Sequence, residues 1–252
     1  MQVKLISCTP DALNLLLSTK NTRLSSDDNP ADWSDEKRMD HLRYMLGTIK
    51  SSWEMIDYIF QIEGVTRAFT HQLVRHRTGS YAQQAMRVVD ARNQPVEKPP
   101  SISISGVTNQ IWDDGVAAAM GFYGQLIDNG APIQDARGLL PTHITTSIMA
   151  KYNLRTLHDM AKLRLCVRTQ GEFQDVFRRM RELVLEQHPW AEEFLDVHCV
   201  ATGTCAFPAY GKKECPVYLP EMDNTPVREA AKIKFWSIRH EAAPVAKNGK
   251  AM

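Results

Sequence analysis

The sequence predicts an α+β domain, and three observations predict it. Two segments, residues 2–8 and 55–63, alternate apolar and polar residues with the period of a strand. Longer segments repeat apolar residues every three and four positions, as amphipathic helices do. Strand and helix patterns do not alternate regularly, which argues against a parallel α/β sheet. The 252 residues are 43% hydrophobic, enough to offset chain entropy and exclude a wholly disordered chain.

Taken in order, residues 2–8 read as a strand, and Pro10 opens a helix through Lys20. Residues 24–34 are a polar loop. Ser34 before Asp35 and Glu36 is a helix N-cap with acidic residues in the first turn. That helix carries Met39, Leu42, Tyr44, Met45 and Ile49, and fades near Ser51 and Ser52. In the strand at 55–63, Ile56, Tyr58, Phe60 and Ile62 share a face, and Gly64 is expected to end it. Residues 65–75 return to a helical period. Residues 80–89 are short, with a strand favoured at 86–89. Residues 93–109, with Pro95, Pro99 and Pro100, are loop-like. Helices are expected at about 110–129, ended by Gly130, and at 132–139, stopped before Pro141.

Residues 142–187 read as mostly helical, on the spacing of Leu154, Leu157, Ala161 and Leu165, then Phe173, Val176, Phe177, Met180, Leu183 and Val184. Pro189 ends this region. Residues 196–220 hold three cysteines among Gly and Pro breaks, and residues 229–239 form a short amphipathic stretch before a tail. Residues 1–220 thus read as one domain, with 196–220 its Cys-containing segment. Residues 221–252 read as a partly flexible C-terminal extension. No apolar run approaches the ~18 residues that span a bilayer, and the N-terminus lacks a continuous signal-peptide core. Five cysteines, an odd number, fit reduced thiols and a cytoplasmic protein without a membrane partner.

A net charge of +1 argues against a dedicated nucleic-acid-coating protein, as does the lack of aromatics interleaved with its basic residues. The positive charge is nevertheless concentrated. Residues 67–92 hold five arginines and one aspartate, and residues 151–182 hold eight basic and four acidic residues, each window at net +4. For Arg178, Arg179 and Arg181 a solvated, salt-bridged helix face is favoured, since Asp175 and Glu182 lie at pairing distance. Arg75-His76-Arg77 differs. Three long polar side chains in a row point in three directions, so one turns inward or across an interface, and an inward arginine needs an anionic partner. Arginine suits bidentate contact with phosphate.

At these residues the sequence resembles the flavin-dependent thymidylate synthases (ThyX type). The family signature is R-H-R, seven residues, then S-x-R. Here Arg75-His76-Arg77, Ser80 and Arg87 match it. The run from Phe60 to Arg77 also resembles the family. So do Gly130-Ala131-Pro132, Ala136-Arg137, Leu140-Pro141, Asn153-Leu154-Arg155, Leu163-Arg164 and Gln170-x-Glu172, in order and spacing.

The resemblance implies a mixed sheet flanked by long helices, in a homo-oligomer, a tetramer, with active sites between subunits. It implies methylation of dUMP to dTMP, with methylenetetrahydrofolate as carbon donor and NADPH reducing bound FAD. No protein nucleophile attacks the pyrimidine, and the cysteines agree: Cys166 lies in an apolar run suited to a buried thiol, Cys8 near the N-terminus, and the rest near the C-terminus. By position, Arg75, His76, Arg77 and Gln83 would contact FAD, with Asn153, Arg155 and Asp159 at flavin-contacting places. Gln72, Gln83, Gln84, Ala85, Met86, Arg87 and Arg137 would bind the nucleotide. Arg164 would lie against the pyrimidine and act in catalysis. Without the family, Arg137 reads as a surface arginine paired with Asp135 or the loop; for Arg155 the alternative is an i, i+4 pair with Asp159, which is compatible with a ligand contact.

Several positions depart from the family. The signature serine is Ala85, an Asn or Ser position is Ala82, and Met86 and Val88 stand where Gln and Tyr are frequent. Glu54-Met55 replaces Glu-His, and Arg168 stands where some members have a flavin-facing His. A relative acting on UMP, or transferring hydroxymethyl to dUMP, is therefore a live alternative. Finally, His198, Cys199, Cys205 and Cys215 are four soft ligands within 18 residues, an inventory zinc favours. Their spacing is looser than a zinc knuckle, so reduced thiols are favoured, with zinc or a disulfide as alternatives.

Overall fold

The computed structural model describes residues 1–48 and 50–238. Ile49, placed above in the second helix, and residues 239–252, including Arg239 of the last amphipathic stretch, lie outside the described residues. Strand β1 (Gln2–Cys8) leads into α1 (Ala12–Leu24) and α2 (Asp35–Leu46). The Ser34 hydroxyl accepts from the Lys37 amide at 3.3 Å, the cap its position predicts. Strand β2 (Asp57–Thr66) runs directly into α3 (Arg67–Leu73), then β3 (Ser80–Gln83), α4 (Gly106–Asp128) and α5 (Ile133–Ala136). Strand β4 (Thr145–Asn153) runs into α6 (Leu154–Arg164) and α7 (Gly171–Gln187). Three short helices follow: α8 (His198–Thr202), α9 (Pro208–Glu214) and α10 (Arg228–Ser237).

The four strands form one antiparallel sheet in the order β1-β2-β4-β3. Its buried face pairs Tyr58 with Tyr152, Phe60 with Ala150 and Ile62 with Ile148. That face meets Leu157, Phe173, Phe177 and Met180 of α6 and α7 in the main core. The α+β class and the shared face of Ile56, Tyr58, Phe60 and Ile62 are both observed. The opposite face, with Ile59, Met149 and Lys151, is only partly covered in the single chain.

Three sequence expectations fail, each for a long-range reason. Residues 145–153 are not helical; they form the strand that pairs with both β2 and β3. Its period-two pattern, Ile148, Ala150 and Tyr152 inward, is short and lies beside a strong helical period, and tertiary pairing on both edges decides it. Gly64 does not end β2. At φ +64° it forms a bulge between Glu63 and Val65, and the ladder resumes to Thr66. The short strand lies at 80–83, not 86–89, because only there does β4 offer a partner; Val88 and Val89 sit exposed in a turn. The loop expected at 93–109 also ends sooner: Ser105 caps α4 by accepting from the Thr108 amide at 3.1 Å, so the helix starts at Gly106.

Candidate functional site

The site is built on the segment between β2 and β4. Thr66 caps α3, its hydroxyl accepting from the Phe69 amide at 3.0 Å. The Glu172 carboxylate, at the start of α7, accepts from both the Thr66 amide and hydroxyl. Two charge-assisted hydrogen bonds thus fix where α3 begins. Helix α3 ends in a tight turn that carries Arg75-His76-Arg77, closed by the Gly79 amide donating to the His76 carbonyl at 3.0 Å. The Tyr81 hydroxyl lies 2.7 Å from the His76 carbonyl and 3.0 Å from that of Leu73, tying the turn to the sheet. A side chain on Gly79 would put its Cβ 2.5 Å from the Tyr152 ring, so close packing, not a positive φ, requires glycine here.

The side chain that turns inward is His76, not an arginine; Arg75 and Arg77 are exposed. Burial and the neighbouring Arg164 charge push the His76 pKa down to about 4, so its ring is neutral at pH 7. Arg164, in the last turn of α6, donates its Nε–H to His76 Nε2 at 3.1 Å. Its guanidinium lies 4.5 Å from the centre of the Phe173 ring. A half-buried neutral imidazole and an aromatic face therefore orient a partly desolvated cation. Thr78 on the same turn bonds Thr156 of α6, hydroxyl to hydroxyl, at 2.9 Å.

The charge pairing separates two kinds of arginine. Arg92 pairs with Asp90 and Asp128, and Arg179 with Glu182 and Glu186, as solvated faces do. Arg178 reaches Asp175 at 3.8 Å. Arg181 does not follow the surface expectation: it is buried, donating to the Leu195 carbonyl at 2.8 Å beside Asp196. In contrast, no carboxylate lies at ion-pair distance from Arg67, Arg75, Arg77, Arg87, Arg137 or Arg164 among the described residues. The first four belong to residues 67–87. Arg137 acts on Arg67, whose pKa burial and that second charge lower, and Arg164 contacts His76. Positive charge is gathered here without an internal counter-ion, which is the electrostatic requirement of an anion site.

A separate assignment comes from the sequence of the whole chain. The family model described as thymidylate synthase complementing protein matches residues 4–190. The chain belongs to the flavin-dependent thymidylate synthase family. Among its relatives, the flavin-dependent thymidylate synthase of Sulfolobus acidocaldarius is 30% identical over 234 residues, covering 89% of this chain and 86% of the relative. That of Geobacter sulfurreducens is 36% identical over 158 residues, 62% of this chain and 68% of the relative. That of Pyrococcus furiosus is 35% identical over 176 residues, 66% and 71% of the two.

The family positions fall into two groups in the fold. Gln72 is tied to Gln170, and Gln83 donates to Thr70 at 2.8 Å, so both amides are held on the α3 side. Gln84, Ala85 and Met86 line a shallow crevice with Gln94, Thr145 and Thr146. The buried Thr146 hydroxyl in that crevice has no hydrogen-bond partner among the described residues. The second group caps α6 and lies within it. Asn153 accepts from the Thr156 amide at 2.8 Å. Arg155 pairs with Glu54 at 2.6 Å rather than with Asp159, which leaves Asp159 exposed. The alternative pairing of Arg137 with Asp135 is absent among the described residues. Met55 is 61% exposed next to that Glu54.

Sequence reasoning gave no role to Arg67, Gly79, Tyr81, Glu172 or Phe173. Gly79 and Tyr81 carry a weak signal, a glycine and an aromatic directly after the basic triplet. Glu172 and Phe173 act from across the fold: the Gln170-x-Glu172 match and the apolar stripe of α7 contain them, but neither pattern names the partner that each one meets. No helix of the described residues is long and apolar enough to cross a membrane.

Proposed function

We propose that the chain methylates C5 of dUMP to give dTMP, with methylenetetrahydrofolate as carbon donor and NADPH as reductant of a bound FAD. The names of its relatives support a flavin and thymidylate synthesis. The observation that carries the residue-level reading is Arg164: a half-buried guanidinium, without a carboxylate among the described residues, oriented by His76 and Phe173. Such a group favours negative charge on a pyrimidine ring as the C5 bond forms. The unpaired Arg75 and Arg77 fit the phosphates of FAD, with Asn153, Arg155 and Asp159 on the adjoining flank. Gln72, Arg87 and Arg137, with the backbone of residues 83–87, fit the nucleotide. When bound, the flavin supplies the hydride that reduces the transferred carbon to a methyl group.

The single chain leaves α4 almost bare. Of its 23 residues only Tyr123 is buried, while Val107, Ile111, Phe122 and Leu126 are exposed. With the partly covered sheet face, this supports a homotetramer whose active sites lie between subunits. Light scattering should give a tetramer; a monomer carrying stoichiometric FAD would overturn that part.

Ala85 removes a hydroxyl that could bond the nucleotide phosphate, and Ala82 and Met55 remove polar groups, so discrimination against a 2′-hydroxyl should be weak. The test is tritium release from C5-labelled dUMP and UMP, with FAD, NADPH and methylenetetrahydrofolate, and mass spectrometry of the product. Release from dUMP, with weaker release from UMP, is expected. Release from neither, with a bound and reducible flavin, would sink the synthase reading. A hydroxymethyl product would redirect it to hydroxymethyl transfer.

A further inference from the structure

The connection from α6 to α7 reaches into the site at three places. Arg164 meets His76 at 3.1 Å, Gln170 accepts from the Gln72 side-chain amide, and Glu172 accepts from the Thr66 amide at 2.7 Å. Both ends of α3 therefore depend on where residues 164–172 stand. Local bonds give this turn its shape: the Thr169 hydroxyl donates to the Leu163 carbonyl, and the Gln174 side-chain amide to that of Leu165, each at 2.8 Å. These contacts tie the turn to α3, α6 and α7. Arg168, an exposed residue of the same turn, reaches elsewhere. Its guanidinium lies 4.2 Å from the centre of the Phe207 ring and 5.1 Å from that of Tyr210. No carboxylate lies at ion-pair distance from it among the described residues.

Both rings lie beyond residue 190, where the family model ends, in a segment that is itself braced. The Gly211 amide donates to the Phe207 carbonyl at 2.8 Å in the first turn of α9. A Cβ on Gly211 would stand 2.6 Å from the Tyr218 ring, so α9 lies directly on that ring. The Asp223 carboxylate takes the Tyr218 hydroxyl and Lys212 of α9, each at 2.6 Å. Lys234 of α10 donates to the Tyr218 carbonyl at 2.9 Å, α10 packs on α8, and α8 packs on α6. Among the described residues the cysteines are free, and no three His, Cys, Asp or Glu side chains, including His198, Cys199, Cys205 and Cys215, are grouped to hold an ion. Noncovalent contacts therefore carry the attachment, and at the α6–α7 turn that contact is a guanidinium on two aromatic faces. Arginine stacks well there because its delocalised cation meets the negative face of a ring.

We propose that Phe207 and Tyr210 are positioning residues: by stacking on Arg168 they clasp the α6–α7 turn and so hold Arg164 against His76. The inference rests on the role proposed for Arg164. The C-terminal segment then acts on the reaction without touching a reactant. Arg168 follows Arg164 by four residues, so a turn released at Arg168 moves the end of α6 that carries Arg164. The tolerance is small, since a drift of about 0.5 Å takes a 3.1 Å contact out of hydrogen-bond range. An aliphatic side chain in place of either ring keeps most of the apolar contact and removes the face that the cation meets.

The test uses the full chain with its flavin bound. Phe207→Leu, Tyr210→Leu and Arg168→Gln should each lower kcat for tritium release from C5-labelled dUMP by about threefold to about thirtyfold. The KM for dUMP and the flavin-to-protein ratio should stay unchanged. Phe207→Tyr keeps an aromatic face and should recover most of the rate. Phe207→Leu combined with Arg168→Gln should be no slower than the slower single variant, because both break one contact. Hydrogen–deuterium exchange should quicken over residues 163–172 in the Leu and Gln variants. That readout needs no turnover: if the parent chain released no tritium, the synthase reading would fall, and unchanged exchange would still overturn the clasp. With an active parent, a normal kcat in Phe207→Leu would overturn the proposal. A loss confined to Arg168→Gln would also overturn it, since Arg168 would then act by touching a ligand itself. So would losses that add in the double variant, or that Phe207→Tyr fails to recover. Circular dichroism checks folding, and Arg168→Gln, at an exposed position, keeps the test open if a ring variant does not fold.

Discussion

His76→Ala tests the link between the basic triplet and the reacting ring. In the folded chain the Arg164 guanidinium has two lateral contacts, the 3.1 Å hydrogen bond to His76 and the Phe173 face at 4.5 Å. Removing the imidazole leaves a half-buried Nε–H without an acceptor. A hydrogen bond to a charged group contributes roughly 1.5–3 kcal/mol. If that energy holds Arg164 in its reactive orientation, kcat should fall about tenfold to about a hundredfold, at about 1.4 kcal/mol per tenfold. His76→Gln offers an amide oxygen in nearly the same place and should recover much of the loss. The assay is tritium release from C5-labelled dUMP, with the flavin-to-protein absorbance ratio recorded for each variant. Because burial and Arg164 set the His76 pKa at about 4, the parent bond should survive down to about pH 5. A His76→Ala enzyme with normal kcat and full flavin would refute the reasoning. A loss that simply tracked flavin occupancy would also refute it, since His76 would then act through flavin binding alone.

Arg77→Ala should weaken flavin binding by roughly 1.5–3 kcal/mol, read by flavin titration, while Arg164→Ala should keep its flavin and lose turnover. Gly79→Ala should destabilise the chain by about 1–3 kcal/mol in urea unfolding, because its Cβ meets the Tyr152 ring at 2.5 Å. Stability should also fall on acidification. His76 and His158 are held near about 4 by burial, whereas both titrate near 6.5 when unfolded, so between those values the unfolded chain binds more protons. Asp196, raised to about 6 by burial, contributes with the opposite sign as pH rises through about 4–6. The clean comparison is therefore His158→Gln against the parent at pH 7 and pH 5: the variant should lose less stability between them, and an unchanged difference would count against a neutral buried His158.

The sequence alone determined what short-range chemistry controls. Helix caps such as Ser34 and the apolar stripe of α7 depend on neighbours within a turn or two, and so they were legible. So was the Arg75-His76-Arg77 block as a place of charge, because its residue types and spacing belong to one short segment. Tertiary structure decided what depends on distant partners. Strand β4 is a strand because β2 and β3 flank it, although the period beside it is helical. Which member of the triplet turns inward was decided by Arg164, 88 residues away, and Phe173. Arg155 chose Glu54 over the carboxylate one turn along its own helix. In each case a partner brought in across the fold decides the outcome, by pairing a group that would otherwise lose its bonds to water or by offering the nearer charge, and a linear pattern holds the residue types but not the distances that select the partner.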